Sequence, residues 1–372
     1  MMRSETKESA LRRHNANALL NIAAPPLIPE STCDLRVDQP RANISEDAIS
    51  SAHQALRSGQ THYVDVPGIG PLREAIAAYL ADTGASSYRA SNVLVTAGVQ
   101  ESRFLSLQKI GEQFDHILVP SVVHPGVRRA LGTRKQSIIE LAVDERSGLP
   151  RLDTIREALG AGSSRLLYLE SPSRLTGRVY SGEDIAALAA MLEEFDAGLI
   201  VDQGLAPWVA EGKFHSPAVA KNGLERVAVL GEAWPGTGLE NWFIGYIATP
   251  EKWFEAMRAQ KQMMAICTST PAQYAALQVA QSYATLRAAH LKKLVANHAR
   301  AVQLVRDAGL DPLPGDAVSV LAVYVGNQEM KIGERLRQKG YLVASGADFG
   351  APGIVRMAVG LDESSLSGLQ DF

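Results

Sequence analysis

From Asn92 onward the chain sets short apolar runs, NVLVTAG, HILV, SIIELAV, RLLYLE, AGLIVD and RVAVL, between stretches of helical periodicity such as SRFLSLQKI and SGEDIAALAAMLEEF. Runs this short, rich in leucine and β-branched residues and apolar on both sides, suit strands covered on both faces. The intervening helices must then cross over the sheet. The alternation predicts an α/β fold in which a mostly parallel sheet is sandwiched by helices. Ligands of such sheets gather at the carboxyl ends of the strands, where Gly98, Asp202 and the turn from Gly231 to Gly238 all fall.

The flanking regions read differently. Residues 1–45 lack strong periodicity and hold Pro25, Pro26, Pro29 and Pro40, which predicts an extended arm. Ser45, followed by Glu46 and Asp47, starts an amphipathic helix that closes at Gly59. A second helix begins at Pro71, with Leu72, Ile76, Tyr79 and Leu80 on one face. Beyond residue 250 the pattern is mostly helical, and Pro271 opens a long run to Ala308 with a break expected near Ala289. SVLAVYV, a helix through Arg335, YLVAS and IVRMAVG then predict a smaller α/β unit. The division expected is an arm (1–45), a large domain (46–289) and a small C-terminal domain (290–372).

Composition excludes several functional classes. A net charge of −3 and a pI of about 6.3 offer no footprint for nucleic acid or an anionic membrane. Cys33 and Cys267 have no CxxC spacing, and His14, His53, His62, His116, His215, His290 and His298 have no metal-ligand spacing. No metal is expected. The polar start MMRSETKESALRRHN is unlike a signal peptide, and no window of about 18 apolar residues exists, so the expected location is the cytoplasm. Motifs for nucleophile elbows, Walker loops and dinucleotide binding are missing.

What remains is the segment GEAWPGTGLENWFIGYI, Gly231 to Ile247, a glycine-rich crossing between two apolar runs. With YVDVPGIGPLREAIAAYL, NVLVTAGVQES, HPGVRRAL, ESPSRLTGRVYS, AGLIVDQG and GIVRMAVG, in this order, it resembles the class I/II aminotransferases, pyridoxal-phosphate enzymes of fold type I. The resemblance covers roughly residues 45–360. It implies pyridoxal 5'-phosphate as cofactor, a homodimer, a small amino-acid or 2-oxo-acid ligand, and an N-terminal arm joining the small domain.

Residue by residue, the resemblance makes Gly98, Val99 and Gln100 a phosphate cradle at a helix N-terminus, where free N–H groups and the helix dipole favour an anion. A plain strand-to-helix turn is the alternative. Asp202 matches the carboxylate that pairs with the pyridine nitrogen. His124 stands where an aromatic ring stacks on the cofactor, Tyr63 where a tyrosine reaches across the dimer to the phosphate, and Arg356 where an arginine grips the substrate carboxylate. Arg174 replaces an asparagine, and Leu205 a tyrosine, at the positions that bond the cofactor's phenolic oxygen. Glu232 and Trp234 replace serines and Phe243 an arginine among the phosphate ligands. Pro235 falls on the Schiff-base lysine, and no lysine lies between Lys221 and Lys252. Lys221 and Lys261 are outside the motif.

No catalytic residue is assigned on this reading. The expected function is an aminotransferase-like protein of amino-acid metabolism that binds an amino acid, a 2-oxo acid or its pyridoxal adduct and is not a conventional transaminase. Two alternatives stand beside it: a non-catalytic partner subunit of an intact homologue, or an enzyme with a new reaction that uses Glu232, His124 or Arg174. Whether Arg174 and Glu232 pair across the former cofactor position is left open by the sequence.

Overall fold

Each apolar run identified above forms a strand in the computed structural model, which describes residues 33–85, 88–132, 137–219, 223–362 and Leu366. Most of the arm, with His14, and Lys221 lie outside the described residues. The chain begins with β1 (Cys33–Asp34), α1 (Glu46–Arg57), α2 (Gly70–Asp82), β2 (Val93–Ala97), α3 (Gly98–Lys109), β3 (His116–Pro120), α4 (Pro125–Leu131) and β4 (Ser137–Leu141). There follow α5 (Leu152–Gly160), β5 (Arg165–Glu170), α6 (Gly182–Glu194), β6 (Gly198–Asp202), β7 (Val227–Glu232) and β8 (Ile244–Ala248). The last part holds α7 (Glu251–Ala265), α8 (Thr270–Ala280), α9 (Tyr283–Asp307), β9 (Asp311–Pro312), β10 (Val320–Tyr324), α10 (Glu329–Gln338), β11 (Tyr341–Leu342), β12 (Ala344–Ser345) and β13 (Ile354–Ala358).

Local chemistry sets many of these boundaries. The Ser45 side chain accepts the Ala48 N–H at the start of α1, and Ser181 and Asp184 form a capping box at the start of α6. The break expected near Ala289 lies instead at Gln281–Ser282, and α9 passes Ala289 unbroken. Nothing from Leu286 to Leu294 is a glycine or proline, so no residue there interrupts the helical ladder. The run read from Trp242 begins as a strand only at Ile244, because Phe243 adopts a left-handed conformation (φ 53°).

The seven strands β2-β8-β7-β6-β5-β3-β4 form the main sheet in that order, parallel except for β8, which is antiparallel to both neighbours. Both faces are covered, as the unalternating apolar runs require. Val93 and Val95 of β2 face a core shared with Leu72, Ile76 and Leu80 of α2, while Leu94 faces one with Leu105 of α3 and Trp253 of α7. A second, antiparallel sheet, β12-β13-β10-β9, packs Val320, Val323, Val355 and Met357 with Leu294 and Val305 of α9. The described end of the arm lies beside it: β1 pairs parallel with β11 in a two-stranded sheet, and the Ala358 N–H of β13 donates to the Leu35 carbonyl. No described helix is long and apolar enough to cross a membrane.

Candidate functional site

Because β2 and β7 are each antiparallel to β8, they run in the same direction as β6, β5 and β3. Their carboxyl ends therefore bring Gly98, Glu232, Asp202, Glu170 and the turn leading to His124 to one edge of the sheet. Arg103 enters from α3, Arg174 from the turn after β5, and Arg356 from β13. The arm, having left the second sheet at Leu35, crosses this edge with Asp38 and Gln39.

Asp202 is the centre of the cluster and is fully buried. Its Oδ1 accepts from Arg174 Nε (3.2 Å), Arg174 Nη2 (2.6 Å) and the Gly204 N–H (3.0 Å). Its Oδ2 accepts from Arg103 Nε (3.0 Å) and Nη2 (2.8 Å). A carboxylate has about four lone-pair sites, so these donors leave no acceptor free. Burial opposes ionisation, but the Arg174 and Arg103 charges outweigh it and hold Asp202 at about 2. Gly204 is required by this approach: a Cβ there would lie 1.9 Å from Arg174 Nη2.

Arg174 and Glu232 do pair, with Nη1 3.5 Å from the carboxylate, and Nη1 also reaches Asp38 Oδ2 at 3.2 Å. Glu232 accepts from the Gln39 amide (2.5 Å), which also bonds the Gly204 carbonyl and whose oxygen takes the Trp208 indole N–H. Arg356 donates to Asp38 Oδ1 (2.8 Å) and to the carbonyls of Val37 (2.7 Å) and Arg36 (3.2 Å). The His124 Nδ1 accepts the Gly126 N–H and faces Arg103 Nη1 at 2.9 Å, which places the proton on Nε2, 3.3 Å from Asp38. Burial and the Arg103 charge push His124 down, toward the neutral form. Despite burial, the His124 hydrogen bond and the Arg356 and Arg174 charges hold Asp38 well below the usual carboxylate range.

A cavity of about 570 Å³ opens beside this cluster. Val99, Gln100, His124, Pro235 and Phe243 all line it, as do Asp38, Arg103 and Glu232. Gly98 turns the chain from β2 into α3 with φ 74°, and the Phe243 side chain stands over it, 3.4 Å from the position of a Cβ. The Gln100 amide is engaged with the Gly126 carbonyl (3.0 Å). Tyr63 is on the loop between α1 and α2, 77% exposed, and does not line this cavity. Leu205 is buried with Trp208 in the core of the second sheet. Lys261 is sealed in an ion pair with Glu101 (both oxygens at 2.9 Å), and no described lysine lines the cavity. Among the described residues no group of three or more His, Cys, Asp or Glu is arranged to hold a metal.

Sequence reasoning missed Asp38, Gln39, Arg103 and Glu170. Two had a readable signal. Glu170 closes RLLYLE as Asp202 closes AGLIVD, and Arg103 falls on the apolar stripe of α3 with Val99, Leu107 and Ile110. Asp38 had none, because its partner Arg356 is 318 positions away.

A family profile for aminotransferases of class I and II matches residues 31–369. The chain is 28% identical over 336 residues to the probable aspartate/prephenate aminotransferase of Aquifex aeolicus, which spans 84% of this chain and 82% of that protein. It is 28% identical over 348 residues to the aspartate/prephenate aminotransferase of Thermus thermophilus, with 89% and 87% covered. A solved Thermus thermophilus aspartate aminotransferase, a tetra mutant, superposes with a TM-score of 0.82 at 23% identity over 100% of this chain and 98% of that one. The aromatic aminotransferase of Pyrococcus horikoshii OT3 gives 0.82 at 20% identity over 92% and 94%, and both likenesses carry the fold alone. By the reach of that profile over nearly the whole chain, the chain belongs to the class I and II aminotransferase family.

Proposed function

We propose that this chain keeps the framework of its family without the Schiff-base chemistry, and that its cleft binds a small nitrogen-bearing metabolite of amino-acid metabolism non-covalently. The observation that carries this is the saturation of Asp202 by Arg103, Arg174 and the Gly204 N–H. The residues present do not fit pyridoxal 5'-phosphate. Its ring nitrogen would need an acceptor on Asp202 that two guanidinium groups occupy. Its phosphate would meet the Phe243 ring over Gly98 and the Glu232 carboxylate, where the family has an arginine and a serine. Pro235, in the lysine position by alignment, has no amine to offer.

The test is covalent attachment. Purified protein given pyridoxal phosphate and then borohydride is expected to stay colourless and to yield no reduced adduct on a buried lysine. The single substitution Pro235→Lys is expected to stay colourless as well, because the new amine would pair with Glu232 in a cleft lacking the phosphate ligands. An adduct mapped to a buried lysine, or a yellow Pro235→Lys protein with stoichiometric cofactor, overturns the reading.

A further inference from the structure

We infer that the cleft recognises a primary amine that carries no carboxylate, with an aryl or alkyl body, so that its charge preference is the reverse of a carboxylate-binding site. This rests on the reading that no Schiff base forms there, and it follows from which charges reach the cavity. The side chains of Arg174 and Arg356 are 0% exposed and Arg103 is 2%, whereas Asp38, Glu232 and His124 are 16%, 19% and 20% exposed. Arg174 and Arg356 sit behind the carboxylates, and Arg103, which touches the cavity, is tied to Asp202. A ligand entering the cavity meets the acidic layer first.

Asp38 is the residue that reverses the preference. Arg356, to which the family resemblance assigns the substrate carboxylate, gives one Nη to Asp38 Oδ1 (2.8 Å) and the other to the Val37 and Arg36 carbonyls. Arg174 adds a bond to Asp38 Oδ2 (3.2 Å). The arm thus supplies an internal carboxylate where an external one would bind, and a second carboxylate would be repelled by the first. Arg41 also lines the cavity, but as an exposed residue of the arm its charge is solvated. Glu240 faces inward and is taken by the Gly236 and Thr237 N–H groups.

The rest of the lining has the chemistry for the ligand's body. Val99, Pro235, Leu239, Ile244 and the 60%-exposed Phe243 line it, and Phe243 covers the N-terminal turn of α3 with hydrocarbon. Carboxylate acceptors and apolar side chains lining one cavity of about 570 Å³ suit an arylalkyl ammonium ion.

Calorimetric titration of the full chain with 2-phenylethylamine, phenylalanine and phenylpyruvate isolates the two charged groups on one side chain. The amine is expected to bind at least tenfold more tightly than phenylalanine, and phenylpyruvate to give no binding heat. Asp38→Asn should weaken the amine and admit phenylpyruvate, since Arg356 is then released from its internal partner. Glu232→Gln leaves the Asp38–Arg356 pair intact, so it is expected to weaken the amine about tenfold without admitting phenylpyruvate. The inference is overturned if wild type binds phenylalanine or phenylpyruvate as tightly as the amine, if no amine heat is found at millimolar concentration, or if Glu232→Gln leaves amine affinity unchanged. A colourless protein that prefers phenylpyruvate defeats this inference alone, whereas a pyridoxal adduct on a buried lysine defeats the reading beneath it.

Discussion

Glu170 and Glu232 close the strands on either side of Asp202, and the three carboxylates share one edge of the sheet. Asp202 holds the guanidinium groups most closely and stays ionised, so for its neighbours burial outweighs the pull of the arginines. Burial, reinforced by Asp202, raises Glu170 to about 7, and burial raises Glu232 to about 7 against the pull of Arg174. Both folded values exceed the ordinary 4.5, so their stabilising contribution is full below that value and is lost as pH rises through about 7. Asp202 acts in the opposite sense: its contribution is present above 3.8 and is lost as pH falls through about 2. Stability should therefore fall between about pH 5 and about pH 8, by on the order of 3 kcal/mol for the shift of Glu170. Urea unfolding midpoints across that range check this, and Glu170→Gln should flatten the slope. A wild-type midpoint that rises with pH contradicts it.

Helix α3 shows why one element can be legible in pattern and opaque in role. Its apolar stripe predicts a helix packed on the sheet, and Leu105, Leu107 and Val99 do pack there. The same stripe delivers Arg103 to Asp202, while the first turn holds Glu101, whose carboxylate accepts the Ala97 N–H and pairs with Lys261 of α7. Lys261 is fully buried and Glu101 is 9% exposed, so neither charge has water to fall back on. Removing one partner from such a pair costs about 3–5 kcal/mol, whereas replacing both can be nearly neutral. Lys261→Met is expected to lower the melting temperature markedly, and Lys261→Met with Glu101→Gln to restore most of it. A single variant as stable as wild type would show that the pair contributes nothing.

The whole molecule is organised around the arm as much as around the sheet. β1 pairs with β11 in a two-stranded sheet beside the second sheet, and a few residues later Asp38 and Gln39 close the cluster at the edge of the main sheet. On the outside, Tyr63, Phe243, Met263 and Met264 are large apolar side chains left 77%, 60%, 75% and 47% exposed. Contacts link the segments that carry them. Phe243 lies on Gly98, the Glu101–Lys261 pair precedes the two methionines by less than a turn, and Thr270 bonds the His62 carbonyl. Exposed apolar side chains of this size are what an interface between copies would cover. Light scattering at micromolar concentration is expected to give a dimer, and Tyr63→Glu with Met263→Glu to shift it toward monomer. A wild-type monomer would count against the interface.

Strand positions, helix starts and the family itself were legible along the chain, because they depend on periodicity, capping residues and motif order, all properties of neighbours in sequence. Asp202, Glu232, His124 and Arg356 were legible for the same reason, each closing or punctuating a local pattern. Their partners were not. That Arg103 and Arg174 would saturate Asp202, that Asp38 would take Arg356, and that Arg174 and Arg356 would lie behind the acids depend on side chains from five separate segments meeting at one sheet edge. Charges exposed along an unfolded chain are equivalent to water. Folding ranks them by depth, and that ranking sets the charge a ligand meets.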